Sequence, residues 1–183
     1  MQVNLSSFHM LLKASDLVGE GLLLSASPEA QTQPCELPTT FWDKIMDMHG
    51  QDVRLVLEKD LCATDVNRSK NHLSIPKRKI QAEFLTDEEI RALDDEHMTV
   101  SLIEPCLQVR HGLKLRKDYK RGDYFSYVLK KEWNAVTHPT ARNGLTEGCH
   151  IRLWAFRVNG DLHFCLVNCE AASADVENMA TGE

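Results

Sequence analysis

Residues 150–167 read HIRLWAFRVNGDLHFCLV, two short apolar-rich runs on either side of Asn159-Gly160. In an extended chain successive side chains point to opposite faces, so a period of two marks a strand. Asn-Gly readily takes the positive φ angles of a type I′ turn, and the stretch therefore predicts a β-hairpin. The same period recurs upstream. VRLVLEK (53–59) alternates Val53, Leu55 and Leu57 against Arg54, Val56 and Glu58, and MTVSLIE (98–104), GLKLRK (112–117) and YFSYVLK (124–130) behave alike. With the short LSI at 73–75 this makes seven strands.

Helical signals are fewer. LTDEEIRAL (85–93) offers Thr86 as N-cap, Glu89 to complete a capping box and Leu85 to staple onto Ile90. KKEWNAVTH (130–138) predicts a second short helix that ends before Pro139. In TTFWDKIMDMHG (39–50), Phe41, Ile45 and Met48 recur at helical spacing beside Trp42 and Met46, with Thr40 as cap and Gly50 as stop. That stripe reads most simply as a docking face onto the domain, with a partner-binding surface as the alternative. A mainly β architecture follows: a mostly antiparallel barrel with small helices, in which closing the sheet removes exposed edges.

The chain divides at its compositional breaks. Residues 1–38 end in Ser, Pro, Ala and Gln and predict a disordered segment and linker; 39–50 form a flanking amphipathic helix; 51–168 form the domain; 169–183 form a small, acidic, disordered tail. FHMLLKASDLVGEGLLL near the start is broken by Lys13, Asp16 and Glu20, which argues against a secretory signal. No apolar run reaches the roughly 18 residues a membrane span needs.

Net charge is −6, but unevenly spread. Residues 53–168 hold 19 Lys and Arg against 16 Asp and Glu, and seven of those acids fall between Glu83 and Glu96. The acidity thus belongs to the chain ends and one helix, while the remaining domain is basic and can attract a polyanion. Two segments concentrate the cations. Asn67 to Lys79, NRSKNHLSIPKRK, gathers Arg68, Lys70, His72, Lys77, Arg78 and Lys79; Lys114 to Phe125 holds Lys114, Arg116, Lys117, Lys120 and Arg121, with Tyr119 and Tyr124 interleaved. Lys and Arg neutralise phosphates, and Arg and Asn also bond base edges in the major groove.

Enzymatic readings find no support: there is no GxSxG, no Walker lysine loop and no HExxH, and the eight histidines are dispersed. The six cysteines lack CxxC pairs and read as reduced thiols. Cys149, His150, His163, Cys165 and Cys169 are of zinc-ligand type, but their spacing lacks the paired pattern of structural zinc sites. No metal and no cofactor are expected.

EKDLCATDVNRSKNHLSIPKRKI (58–80) resembles the opening of the plant B3 DNA-binding domain, whose pattern falls here on Lys59, Leu61, Thr64-Asp65-Val66, Leu73 and Ile75-Pro76-Lys77. SYVLKKEWNAV (126–136) and NGLTEGCHIRLWAFR (143–157) resemble two further segments of that family, and the likeness covers about Phe41 to Val167, closest to a branch once filed as a domain of unknown function. The resemblance implies a seven-stranded open pseudobarrel with two short helices that grips the major groove of double-stranded DNA between two arms, Asn67–Lys77 and Arg116–Phe125. It implies contacts from Asn67, Arg68, Lys70, Asn71, His72 and Lys77 on one arm and Arg116, Lys117, Tyr119, Lys120 and Arg121 on the other, with Lys59 and Lys77 anchoring the DNA backbone. It also implies a nuclear regulator of transcription. A competing expectation is a B3-like protein-interaction module using Phe41, Trp42, Ile45 and Met46. Three positions depart from the pattern: His72 for an Arg, Glu132 for a Gly, and Cys149 for an Asp that can serve as a turn acceptor.

Overall fold

The computed structural model describes residues 36–119 and 124–171. Its strands are β1 (Gln51–Asp60), β2 (His72–Pro76), β3 (His97–Ile103), β4 (Val109–Tyr119), β5 (Phe125–Lys130), β6 (His150–Val158) and β7 (Asp161–Asn168). They form one sheet in the order β1-β6-β7-β3-β4-β5-β2. The β3–β7 pairing is parallel and the others are antiparallel. β1 and β2 are the two ends of this curled sheet, so the barrel is open between them, as a pseudobarrel requires. The hairpin read from residues 150–167 is β6–β7, with Asn159 at φ 51° and Gly160 at φ 89° in its turn.

The short helices are α1 (Thr39–Asp47), α2 (Ala63–Val66), α3 (Asp87–Asp95) and α4 (Trp133–Val136). At α3 the expected capping box is present in both directions, Glu89 N–H to Thr86 Oγ1 and Thr86 N–H to Glu89 Oε2. At α1 the cap differs from expectation. Thr40 lies inside the helix, and the carbonyl of Pro38 accepts from Phe41 and Trp42 N–H, since proline's own missing N–H costs nothing there. α2 was not read from the sequence; four residues give no periodicity.

Two cores flank the sheet. The main one fills the barrel, around Leu57, Leu73, Ile75, Leu102, Leu115, Leu129, Trp133, Leu153 and Phe164. The second lies on the opposite face, where Phe41 and Ile45 of α1 pack with Leu37, Ile103, Trp154, Phe156, Cys165 and Val167. Trp42 and Met46 are half-buried against the same cluster. The aromatic and Met stripe therefore docks α1 onto the sheet. Leu37, which the sequence reading placed in the linker, is 1% exposed and belongs to this cluster. The expectations for residues 1–35 and 172–183 lie outside the described residues.

β1 serves both cores by changing parity. Its pairing with β6 shifts between Leu55 and Leu57, leaving Val56 as an extra residue in the strand. Val53 and Leu55 join the α1 cluster, while Val56 and Leu57 both enter the barrel. Simple alternation had put Val56 on the outer face with Arg54 and Glu58; the bulge turns it inward, at 0% exposure. Cys149 and Cys165 fall in different cores, on opposite sides of the sheet, so these residues of zinc-ligand type do not converge. Among the described residues no group of three or more His, Cys, Asp or Glu is placed to hold a metal.

Gly50 ends the turn after α1 for a reason of space. A Cβ there would meet Ile45 Cγ2 at 2.5 Å and Phe156 Cδ2 at 2.8 Å, with the backbone oxygen of Ile45 at 2.9 Å. Gly50→Ala should cost about 1–3 kcal/mol through overpacking, measured as a lowered urea midpoint without change of slope.

On the β1–β6 edge His150 bonds Glu58 Oε1 and Asp60 Oδ1, each at 2.7 Å. The bond to Glu58, then that to Asp60, raises the imidazole above its ordinary value of 6.5. A raised native pKa means the contribution is complete below about pH 6.5 and disappears as pH rises through the native value. The melting-temperature advantage of the wild-type chain over His150→Gln should accordingly shrink as pH rises above about 6.5.

Candidate nucleic-acid interface

The opening between β1 and β2 is spanned by one buried ion pair. Lys59 on β1 places Nζ 2.6 Å from Asp65 Oδ2 and 3.3 Å from the carbonyl oxygen of Ser74 on β2. Asp65 also accepts from Cys62 N–H at 3.0 Å, Cys62 Sγ at 2.9 Å and Ser74 N–H at 3.1 Å, while its carbonyl takes the indole N–H of Trp133 at 2.6 Å. Burial pushes the Asp65 carboxyl up, but the bonds from Cys62 and Lys59 outweigh it and hold the group below the ordinary aspartate value. The expectation that Lys59 anchors the DNA backbone is corrected here: at 8% exposure its ammonium is used inside the protein.

The turn after α2 is equally internal in its amides. Asn67 Oδ1 accepts from Ser69 N–H at 2.8 Å, and its carbonyl receives the N–H groups of Lys70 and Asn71. Asn71 takes the left-handed conformation, φ 47°, which asparagine tolerates. Its Oδ1 accepts from Asn134 N–H at 2.7 Å, and Asn134 Nδ2 returns a bond to the Arg68 carbonyl at 2.9 Å. The side-chain carbonyl of Asn71, a residue expected to approach bases or phosphates, clamps this turn to α4. Arg68 and Lys70 project from the clamped turn, exposed and without an ion pair to any described acid.

Strand parity decides the rest. In β2, Leu73 and Ile75 point into the barrel, so His72, Ser74 and Pro76 point out. Ladder pairing carries this outward face across to Lys130, Val128 and Ser126 of β5 and then to Lys114, Arg116 and Asp118 of β4. β4 runs to Tyr119, further than GLKLRK suggested, so Tyr119 joins Arg116 and Lys117 as a strand residue. Arg116 is exposed on the outward face. Lys117 and Tyr119 fall on the other face, under α3, where both bond Asp94. Burial opposes the charged form of Lys117, yet the bond from Asp94 prevails and raises its pKa. The sequence grouped Lys117 and Tyr119 with the DNA-facing residues; the period of two turns them away. Lys120 and Arg121 lie outside the described residues.

A groove follows the outward side of β2, lined by Lys59, Asp60, Cys62, Thr64, Lys70, His72, Ser74, Pro76, Lys79 and Asp118. It joins the first basic segment to the end of β4. Lys79, absent from the expected contacts, stands in it, and Arg78 stacks its guanidinium 3.9 Å from the centroid of Tyr124, tying the segment after β2 to the start of β5. Lys77 instead lies 4.8 Å from the Phe125 ring and lines a second, more apolar groove with Ile80, Phe84 and Ile90. Asp60 and Asp118 are the acids lining the first groove, while two acids of α3 are placed elsewhere. In α3, Glu89 binds Arg157 through two contacts of 2.6 and 2.7 Å, and Asp94 binds Lys117 on the face opposite Arg116.

An open β-barrel with a cationic groove at its β1–β2 opening is thus the class of protein that the coordinates define. Residues 33–170 match the family described as "B3 domain-containing protein At2g31720-like". The chain belongs to the B3 domain family. It is similar to three Arabidopsis thaliana proteins: B3 domain-containing protein At1g05920, 36% identical over 63% of this chain and 40% of that protein; At3g25182, 33% identical over 76% and 43%; and At2g31720, 28% identical over 94% and 57%. The chain spans about half the length of these relatives.

The departures from the family pattern fit this backbone. Glu132 has φ −71°, so glycine is not required there. Cys149 Sγ accepts from Thr146 N–H at 3.3 Å and takes over the turn contact. Asp65→Ala, by stranding a buried ammonium, should cost about 3–5 kcal/mol, and the pair Lys59→Met with Asp65→Leu distinctly less. Urea unfolding of the three chains measures both.

Proposed function

We propose that this chain binds double-stranded DNA sequence-selectively in the major groove and acts in the nucleus as a regulator of transcription. The observation that carries the reading is the sorting of cations. Lys59, Arg110, Lys117, Arg152 and Arg157 are ion-paired to described acids, whereas Arg68, Lys70, Lys79 and Arg116, around the groove, are not. Family membership supports it, since the B3 family is a DNA-binding domain family. The geometry is also suitable. From His72 to Pro76 the outward face of β2 extends about 13 Å at 3.3 Å per residue, comparable with the roughly 12 Å width of a major groove.

In this reading Arg68, Lys70 and His72 approach from one arm and Arg116 from the floor beside the other. Lys120 and Arg121 occupy the connection between Tyr119 and Tyr124. Asn67 and Asn71 hold the first arm in shape, and Lys117 with Tyr119 holds α3 against the back of β4. No step requires a catalytic group. The protein-interaction reading is weaker, because Phe41 and Ile45, two of its four anchors, are 6% and 0% exposed beneath α1.

Anisotropy titration of labelled duplexes at several salt concentrations tests this. Lys70→Gln should weaken binding to every sequence and lower the slope of log K against log salt by about one, while Lys117→Gln leaves the slope unaltered. Arg68→Gln should relax preference at one base position by about 1–3 kcal/mol. Absence of any salt-sensitive binding by the folded wild-type chain would falsify the proposal.

A further inference from the structure

The outward sheet face carries a row of basic side chains that starts at His72 of the first arm and continues beyond it. His72 of β2 stands directly opposite Lys130 of β5, and Lys130 directly opposite Lys114 of β4. Their neighbours Leu73, Leu129 and Leu115 are buried in the barrel, so all three point out. Both lysines are half-buried, and neither makes an ion pair with a described acid. Lys114 Nζ donates to Thr99 Oγ1, a neutral partner on β3, and His72 Nδ1 lies 3.0 Å from the carbonyl of Lys70.

Like charges directly opposite one another on a sheet repel and destabilise it, whereas an acid or an apolar residue at the middle position would stabilise it. Here the middle position is a second lysine. Further along the same face Arg116 stands opposite His97, again without an acid. The acids of α3 contact the other face, so they do not relieve the row. An external anion bound there would remove that repulsion.

We propose that Lys114 and Lys130 form a phosphate-binding floor beside the first arm. The inference rests on the DNA-binding reading and names a further part of that site. The row crosses two strand spacings, about 10 Å, so it can meet one DNA strand at more than one phosphate. Affinity from the floor is indifferent to sequence; the arms supply the selectivity.

The test uses the full chain, its Lys114→Gln/Lys130→Gln variant, and a labelled duplex of about 20 base pairs in several sequences, with anisotropy read across a salt series. The floor predicts that the variant's slope of log K against log salt falls by one to two units, at about 0.9 per phosphate, equally for every duplex. It also predicts that without DNA the variant melts at the same temperature or higher, with the gain largest at low salt, because repulsion has been removed. A wild-type slope in the variant, with wild-type binding intact, overturns the floor and leaves the two arms standing. A lower melting temperature overturns the premise of repulsion. Failure of the wild-type chain itself to bind in a salt-dependent way overturns the parent reading and the floor with it.

Discussion

The carboxylate of Asp65 holds the open side of this barrel together. A curled sheet whose end strands do not pair leaves two rows of backbone groups and a gap into the core. Here the gap is crossed by the Lys59 ammonium, which meets Asp65 from α2 and the Ser74 carbonyl from β2. Trp133 of α4 joins through the Asp65 carbonyl. Three consecutive elements, β1, α2 and β2, and the distant α4 thus converge on one residue. A buried pair of this kind adds little net stability over an apolar substitute, but it fixes which groups lie next to which. The position of β2, and so of the cationic groove, follows from it.

From that fixed strand the charge pattern follows by geometry alone. The period of two sends Arg116 to one side and Lys117 to the other, although they are adjacent in sequence. Lys117 is neutralised by Asp94 and Arg157 by Glu89, so α3 spends its acids against the back of β4 and against β6. An acidic chain can therefore present an electropositive face. Net charge says little about binding to a polyanion when part of the acidity is paired away from the groove.

β2 and β4 are legible in the sequence because each buries one face and must alternate, whereas β6 and β7 bury both faces and show as apolar runs around a turn. All seven could be read, as could the Thr86 capping box and the Asn-Gly turn. What escaped was set by features without a local signature. The bulge at Val56 depends on how β1 meets β6, and α2 depends on Asp65 finding a lysine six residues upstream and a tryptophan 68 residues downstream. At the site, the basic segments could be located by counting, but the role of each member could not. Asn71 has the side chain to read a base and instead closes a bond to Asn134. Lys59 and Lys117 carry the same charge as Lys70 and Lys79, and only packing separates those neutralised internally from those left at the groove.

The departures from the family pattern show where this fold is tolerant. A glycine before Trp133 is dispensable because the positive φ falls one residue earlier, on Lys131 at 72°. A cysteine can stand for an aspartate at 149 because the turn asks only for a weak acceptor near Thr146, and sulfur provides one. Both substitutions lie on the scaffold and leave its hydrogen bonds satisfied. His72 is different in kind, since it makes no contact that a core needs and sits at the end of a row already holding two lysines. An arginine there would add a third permanent charge to a line of like charges.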